Sequence, residues 1–78
     1  MTITSEHIGW KGLNGSVMMS DLGLKVWPTR MLVQSHKTGQ QVDFYCAGLH
    51  RDADGDIEYG TYRSVNFSQK MVLTVFND

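Results

Sequence analysis

The sequence predicts a mainly β protein: a single compact antiparallel β-meander or small barrel of about five or six strands, with one short helix near residues 21–26. An α+β fold stays open as an alternative. Two observations predict this class. Apolar-rich segments fill residues 31–76 and are separated by short polar or glycine-containing runs that are typical of turns. Upstream of them, Asn14-Gly15 is the strongest short-range signal for a β-hairpin.

The chain length limits the architecture. With 78 residues and one cysteine there is room for one domain, residues 1–78, and for no internal disulfide. A core of this size supplies little net stability, so self-association as a homodimer is expected. The net charge of −1 gives the chain as a whole no attraction for phosphate backbones or anionic membranes. A lone Cys46 in a strand pattern suits a reducing compartment, which predicts a cytoplasmic protein that binds no membrane.

The first hairpin is centred on Asn14-Gly15. A two-residue turn there pairs Leu13 with Ser16 and places Trp10 opposite Met19, so that both apolar side chains lie on one face. A helix capped by Ser16 is the rival interpretation, which the neighbouring glycines disfavour.

The short helix at residues 21–26 is predicted from its end signals. Ser20-Asp21 is typical of a helix start, and Pro28 disfavours helical backbone at the residue before it. Gly23 weakens this helix, whose expected role is to cover one face of the sheet.

The meander begins at Met31, and its turns can be tested by the residues they pair. A two-residue turn at Thr38-Gly39 places Val33 opposite Phe44 and Met31 opposite Cys46. All four side chains are apolar and share one face. This register therefore predicts a buried side of the sheet.

The second turn of the meander is predicted at Asp54-Gly55. It continues the same buried face but brings Arg63 opposite Cys46. Either Arg63 lies at the rim of the core or a bulge near Gly60 shifts the register. A three-residue loop at residues 53–55 is a further alternative.

A turn at Ser68-Gln69 makes residues 71–76 the last strand, and the sheet then has two unlike faces. The predicted core face carries Met31, Val33, Val42, Phe44, Cys46, Val65, Phe67, Val72 and Phe76. The second face carries Leu32, Tyr45, Leu49, Tyr62, Leu73 and Val75 among Gln34, His36 and Asp43. That face is more apolar than a solvated surface needs, so the N-terminal hairpin, a second copy or another protein should cover it.

An acidic loop offers the clearest metal-like pattern. Asp52, Asp54 and Asp56 match the opening ligands of an EF-hand calcium loop. The sixth position, which needs glycine, is Ile57, and the twelfth, which needs glutamate, is Arg63. The pattern therefore predicts an Asp-Gly hairpin turn rather than a calcium site.

Other catalytic and ligand-binding patterns are missing from the sequence. His7, His36, His50 and Cys46 have no zinc-ligand spacing, so no metal is expected. Neither a nucleophile motif nor a glycine-rich phosphate loop occurs. The sequence therefore predicts a protein that is not an enzyme and carries no cofactor.

The second face supports the functional hypothesis. Tyrosine and arginine supply amphipathic contact area without demanding net charge. The predicted protein-interface residues are Leu32, Tyr45, Leu49, Tyr62, Arg63 and Leu73. We expect an accessory protein that binds another protein, as a regulator or inhibitor of a host protein and of phage or mobile-element origin. The alternative is a small β-barrel that binds single-stranded nucleic acid through Tyr45, Tyr59, Tyr62, Arg51 and Arg63.

Overall fold

The computed structural model describes residues 2–24 and 26–77 and confirms a mainly β fold. Six strands form one mixed sheet that curls into a half-barrel, in the order β1-β4-β5-β6-β3-β2. The strands are β1 (Thr2–Thr4), β2 (Gly9–Leu13), β3 (Ser16–Ser20), β4 (Arg30–Gln34), β5 (Gln41–Arg51) and β6 (Ile57–Ser64). A 3₁₀ turn (Ser5–His7) links β1 to β2, and a helix, α1 (Gln69–Asn77), follows β6.

The sequence indicated a purely antiparallel sheet, but the observed sheet is mixed. β1 pairs in parallel with β4, and the other pairs are antiparallel. Consequently β1 and β2, which are neighbours in the chain, lie at opposite edges of the sheet.

The N-terminal hairpin is confirmed in its register. Leu13 lies opposite Ser16 and Trp10 opposite Met19. Asn14 and Gly15 both have positive φ angles, 42° and 85°, which is the backbone that a two-residue hairpin turn requires.

The predicted turn between β4 and β5 is wrong in length. The connection is closed by a hydrogen bond from the Ser35 amide to the Gln40 carbonyl oxygen, 2.8 Å, and Met31 lies opposite Phe44 rather than Cys46. The pairing is displaced by two residues. Because side chains alternate with a period of two, Met31 and Val33 still lie on the buried face.

The β5–β6 hairpin takes the three-residue loop and a bulge. The Asp52 amide donates to the Asp56 carbonyl oxygen at 2.9 Å, which leaves residues 53–55 in the loop. A register shift between Cys46 and Gly48 then places Cys46 opposite Tyr62. The bulge therefore keeps Arg63 out of the core and brings Tyr62 into it.

The predicted helix at residues 21–26 is wrong. Residues 21–24 and 26 have no helical structure, and Lys25 lies outside the described residues. Asp21 and Gly23 have positive φ angles, 63° and 65°, which no right-handed helix accommodates. This segment is instead a loop that crosses the core face and buries Trp27.

The helix of this fold lies where the last strand was predicted. Ser68 begins α1: its carbonyl oxygen accepts from the Val72 amide at 3.0 Å, and its Oγ accepts from the Met71 amide at 3.3 Å. Val72 and Phe76, one turn apart, are both buried. Packing of this face against the sheet outweighs the strand preference of the β-branched residues in the segment.

The core lies between the concave face of the sheet, α1 and the crossing loop. It consists of Val17, Met19, Trp27, Met31, Val33, Val42, Phe44, Tyr62, Val72 and Phe76. Trp10 stacks on Phe76 with ring centroids 4.5 Å apart. The predicted core residue Val65 is 60% exposed because β6 ends at Ser64, while Cys46 and Phe67 are only partly buried.

Candidate protein-binding face

The convex face of the sheet is uncovered in the described part of the chain. α1 contributes Val72 and Phe76 to the core, and the crossing loop contributes Trp27, so both lie on the concave side. The side chains that alternate with the core residues along β3 to β6 therefore face outward. We call this surface the outer face; its exposed or half-buried members include Met18, Arg30, Leu32, Asp43, Tyr45, His50, Tyr59 and Arg63.

A row of three side chains crosses the middle of the outer face. Arg30 on β4 lies opposite Tyr45 on β5, and Tyr45 lies opposite Arg63 on β6. Tyr45 thus stands between two arginines on adjacent strands, and 38% of its surface is exposed. We call these three residues the Arg-Tyr-Arg row.

Polar contacts hold the two arginines in place. Arg30 Nη2 donates to Asp43 Oδ2 at 3.0 Å in an exposed ion pair. Arg63 Nε donates to Ser16 Oγ at 3.1 Å, and the ion pairs of the described residues do not include Arg63. Arg63 therefore lies at the surface without a carboxylate partner among those residues.

A second aromatic group lies further along the projecting β5–β6 hairpin. The His50 and Tyr59 rings are stacked 4.3 Å apart at 16°, on paired positions of the two strands. Met18 and Thr61 form another cross-strand pair between this stack and the row. The outer face thus continues from the Arg-Tyr-Arg row toward the hairpin tip.

The structure separates the predicted interface residues into two groups. Leu32, Tyr45 and Arg63 lie on the outer face, with Leu32 opposite Asp43. The other three do not share this face. Tyr62 is completely buried in the core, Leu49 lies opposite the core glycine at position 60, and Leu73 lies on α1 against β2.

The misplacement of Tyr62 and Leu49 has one cause. The bulge between Cys46 and Gly48 reverses the sides to which later residues of β5 point, and it aligns Tyr62 with Cys46. Three outer-face residues, Arg30, Met18 and His50, were not predicted for any binding surface. Arg30 could have been found from the correct β4–β5 register, since it lies directly opposite Tyr45.

Buried Tyr62 has a structural role. Its hydroxyl donates to the Pro28 carbonyl oxygen at 3.0 Å and thereby anchors the crossing loop. Burial, with a smaller contribution from nearby Cys46, raises the pKa of the Tyr62 hydroxyl far above its ordinary value. The hydroxyl therefore stays neutral and acts as a hydrogen-bond donor.

The acidic loop is organised as a turn. Asp52 Oδ1 accepts from the Asp54 amide at 2.9 Å and from the Asp56 amide at 3.0 Å, and Arg51 Nη1 donates to the Gly55 carbonyl oxygen at 2.8 Å. The Asp52 carboxylate is thus engaged by the backbone. Within residues 2–24 and 26–77 no group of three His, Cys, Asp or Glu side chains is arranged to hold a metal ion.

The histidines and the cysteine do not converge. His36 Nδ1 is hydrogen-bonded to Ser5 Oγ at 3.0 Å, whereas His50 stacks on Tyr59. His7 lies beside Glu6, with Nε2 and Oε1 3.8 Å apart. These side chains serve local contacts at separate places in the fold.

A second apolar surface lies beside α1. An open groove of about 350 Å³ is lined by Gln40, Phe67, Lys70, Met71, Thr74 and Val75. Met71 is half exposed there. Lys70 is the only charged residue in this lining, so the groove offers little to orient a partner.

The fold and the outer face define a small mainly β domain with one uncovered sheet surface. Comparisons with protein-family models, curated proteins and solved structures found no match to this chain. In the described residues, no helix has both the length and the apolar character needed to cross a membrane.

Proposed function

We propose that this protein is a small non-enzymatic accessory protein that binds another protein through the outer face. The observation that carries the proposal is the Arg-Tyr-Arg row on an uncovered sheet surface. As a binding protein it would regulate or inhibit the protein that it contacts.

The chemistry of the row favours a protein partner. Tyr45 is held on a rigid strand, so it offers aromatic area at a low cost in conformational entropy. Arg30 and Arg63 flank it and can donate to carboxylates or carbonyl oxygens of a partner. Leu32 extends the patch with apolar surface on the next outward-facing residue pair, opposite Asp43. Tyrosine and arginine are the residue types that dominate protein interfaces.

Single-stranded nucleic acid is the alternative ligand, and the same row favours it. A base could stack on Tyr45 while Arg63 contacts a phosphate. Against this alternative, Asp52, Asp54, Asp56 and Glu58 are all exposed at the end of the same hairpin. Their negative charges repel a phosphate backbone, so a protein partner fits the whole hairpin better.

A photo-crosslinking amino acid at position 45 tests the proposal in cells that produce the protein. We expect covalent adducts of defined mass that contain a protein. The matched control places the same group at position 26, because Val26 is 80% exposed yet lies in the loop on the concave side. Adducts that form equally at both positions, or at neither, would contradict the proposal.

Fluorescence anisotropy with a mixed pool of single-stranded oligonucleotides tests the alternative. Nucleic-acid binding would appear at low salt, weaken steeply as salt rises and be lost in Tyr45→Ala. We expect no anisotropy change at low salt. A salt-dependent change that Tyr45→Ala removes would replace the protein-binding proposal with the nucleic-acid one.

A further inference from the structure

The Asn14-Gly15 turn combines the backbone of a tight hairpin with a chemically reactive dipeptide. Both residues are exposed, and a Cβ atom at Gly15 would meet no atom within 4 Å, so water has open access to the turn. The chain has three asparagines, and only Asn14 is followed by glycine. Glycine has no Cβ to shield its amide nitrogen. Asn14 is therefore the asparagine most open to attack by the backbone amide that follows it.

Deamidation of Asn14 needs only water, and asparagine is a thermolabile residue. The Gly15 amide nitrogen loses its proton to water or hydroxide and attacks Asn14 Cγ, which forms an N–Cγ bond. The Cγ–Nδ2 bond breaks, the side-chain nitrogen takes up a proton and leaves as ammonia, and a succinimide ring remains. Water then opens this ring at either carbonyl. The product is aspartate, or isoaspartate in which the main chain runs through Cβ and Cγ.

The Gln69 side chain holds the nitrogen atom that this reaction needs. The Gly15 amide donates to Gln69 Oε1 at 3.0 Å, a contact between residues 54 positions apart in the sequence. A directional hydrogen bond fixes the amide proton, whereas attack requires the nitrogen to lose that proton and approach Asn14 Cγ. From this contact we propose that Asn14 is a site of spontaneous deamidation whose rate is controlled by Gln69.

The hairpin leaves room for the Gln69 side chain. A Cβ atom at Gly12 would overlap Gln69 Nε2 and lie 3.2 Å from Gln69 Cδ. The missing side chain at position 12 thus allows the Gln69 amide group to lie against β2 and reach the turn. Gln69 is half-buried at the first residue of α1, so the contact breaks whenever this end of the helix leaves the hairpin. Deamidation of Asn14 therefore depends on opening between α1 and the hairpin.

The reaction changes both the turn and the charge of the protein. Isoaspartate adds a backbone carbon to a two-residue turn in which Asn14 and Gly15 both need positive φ angles. The longer turn no longer matches the register that places Leu13 opposite Ser16. Either product replaces an amide by a carboxylate, so the formal net charge changes from −1 to −2. The modified chain is therefore separable from the original by ion exchange.

Mass spectrometry of purified protein aged at neutral pH tests the proposal. The folded wild type should convert Asn14 more slowly than the same chain in guanidinium chloride, because Gln69 reaches Gly15 only in the fold. Gln69→Ala removes the acceptor, and this folded variant should convert Asn14 roughly two- to tenfold faster than the wild type, the factor that one such hydrogen bond supplies. Electron-transfer fragmentation separates aspartate from isoaspartate. Asn66, which precedes Phe67, is the internal control.

Lys70→Ala and Asp52→Ala are the matched control variants. Lys70 is the next residue of α1 and is exposed, whereas Asp52 holds the turn at the opposite end of β6. Both variants should convert Asn14 at the wild-type rate, which separates loss of the acceptor from a general loss of stability. Hydrogen exchange of the Gly15 amide, followed by NMR, should be faster in Gln69→Ala and unchanged in both controls.

Far-UV circular dichroism checks that each variant folds, and Gln69→Ser, which is too short to reach Gly15, replaces Gln69→Ala if that variant does not fold. Equal conversion rates in the folded and denatured wild type would overturn the proposal. So would a wild-type rate in the folded Gln69 variant, or an equal acceleration in Asp52→Ala. The proposal does not involve the outer face, so its failure leaves the proposed function unaffected.

Discussion

Gly60→Ala is expected to destabilise the protein because the crossing loop packs directly on that glycine. A Cβ atom at position 60 would lie 2.8 Å from Trp27 Cε3, 2.9 Å from Trp27 Cζ3 and 2.8 Å from Tyr62 Cε2. Carbon atoms pack at about 3.5–4.0 Å, so both rings would have to move by roughly 1 Å. Neither ring is free to do so, since Trp27 and Tyr62 are buried and the Tyr62 hydroxyl is bonded to Pro28.

The magnitude follows from two opposing effects. Overpacking of a well-filled core costs about 1–3 kcal/mol. Replacing glycine by alanine restricts the unfolded chain and offsets about 0.4–1 kcal/mol of this cost. We expect the free energy of unfolding to fall by about 1–2 kcal/mol, which at about 1 kcal/mol per M lowers the urea midpoint by about 1–2 M.

Urea unfolding followed by tryptophan fluorescence and far-UV circular dichroism measures this change. Gly48→Ala is the matched control on the neighbouring strand, because its Cβ would meet only Thr61 Oγ1 at 3.3 Å on the outer face. Gly48→Ala should unfold close to the wild-type midpoint. If Gly60→Ala were as stable as Gly48→Ala, the close packing of Trp27 on Gly60 would be refuted.

Three further changes test other contacts. Burial raises the pKa of the Tyr62 hydroxyl, so ionisation of this group opposes folding. The contribution of Tyr62 to the free energy of unfolding is therefore complete below about pH 10. Above that pH it declines by up to about 1.4 kcal/mol per pH unit. Urea midpoints of the wild type should therefore fall more steeply above pH 10 than those of Tyr62→Phe. Ser68→Ala removes the acceptor for the Met71 amide and should lower stability by about 0.5–2 kcal/mol in thermal unfolding. Asp52→Ala removes the acceptor for two amides of the hairpin turn and should cost about 1 kcal/mol in urea unfolding, whereas Asp54→Ala should be near neutral.

Each of these expectations has an outcome that contradicts it. Parallel pH curves for the wild type and Tyr62→Phe would mean that Tyr62 ionises freely. An unchanged melting temperature in Ser68→Ala would show that α1 does not depend on its cap. Equal losses in Asp52→Ala and Asp54→Ala would argue that charge at the tip, and not the turn hydrogen bonds, determines its stability.

Local chemistry made the N-terminal hairpin and the outer-face position of Tyr45 predictable. Asn14 and Gly15 specify a backbone conformation by themselves, so the register follows from two adjacent residues. Leu32 and Tyr45 were placed on the correct side even though the β4–β5 register was displaced by two residues, because a displacement by two preserves the face.

Nonlocal packing decided what the sequence could not predict. Val72 and Phe76 lie on the same side of a strand and of a helix, so their spacing does not distinguish the two. The burial of the neighbouring residues does distinguish a helix from a strand. In the helix Leu73 is half-buried and Thr74 is exposed, whereas a strand with Val72 and Phe76 in the core would bury Thr74 and expose Leu73. Likewise, the bulge after Cys46 aligns Tyr62 with Cys46, and Tyr62 contacts Pro28 of the crossing loop, 34 residues away in the sequence; no short stretch of sequence encodes such a contact.

The short link between the two edge strands has a consequence for the shape of the sheet. Thr4 ends β1 and Gly9 begins β2, so five peptide units join opposite edges. Five units span at most about 17 Å. The outer strands of a flat six-stranded sheet would lie about 24 Å apart, because each of five gaps measures about 4.8 Å. The sheet therefore cannot flatten while this link is intact: the covalent length of the chain at Ser5–His7 sets a minimum curvature, independently of any side chain in the core.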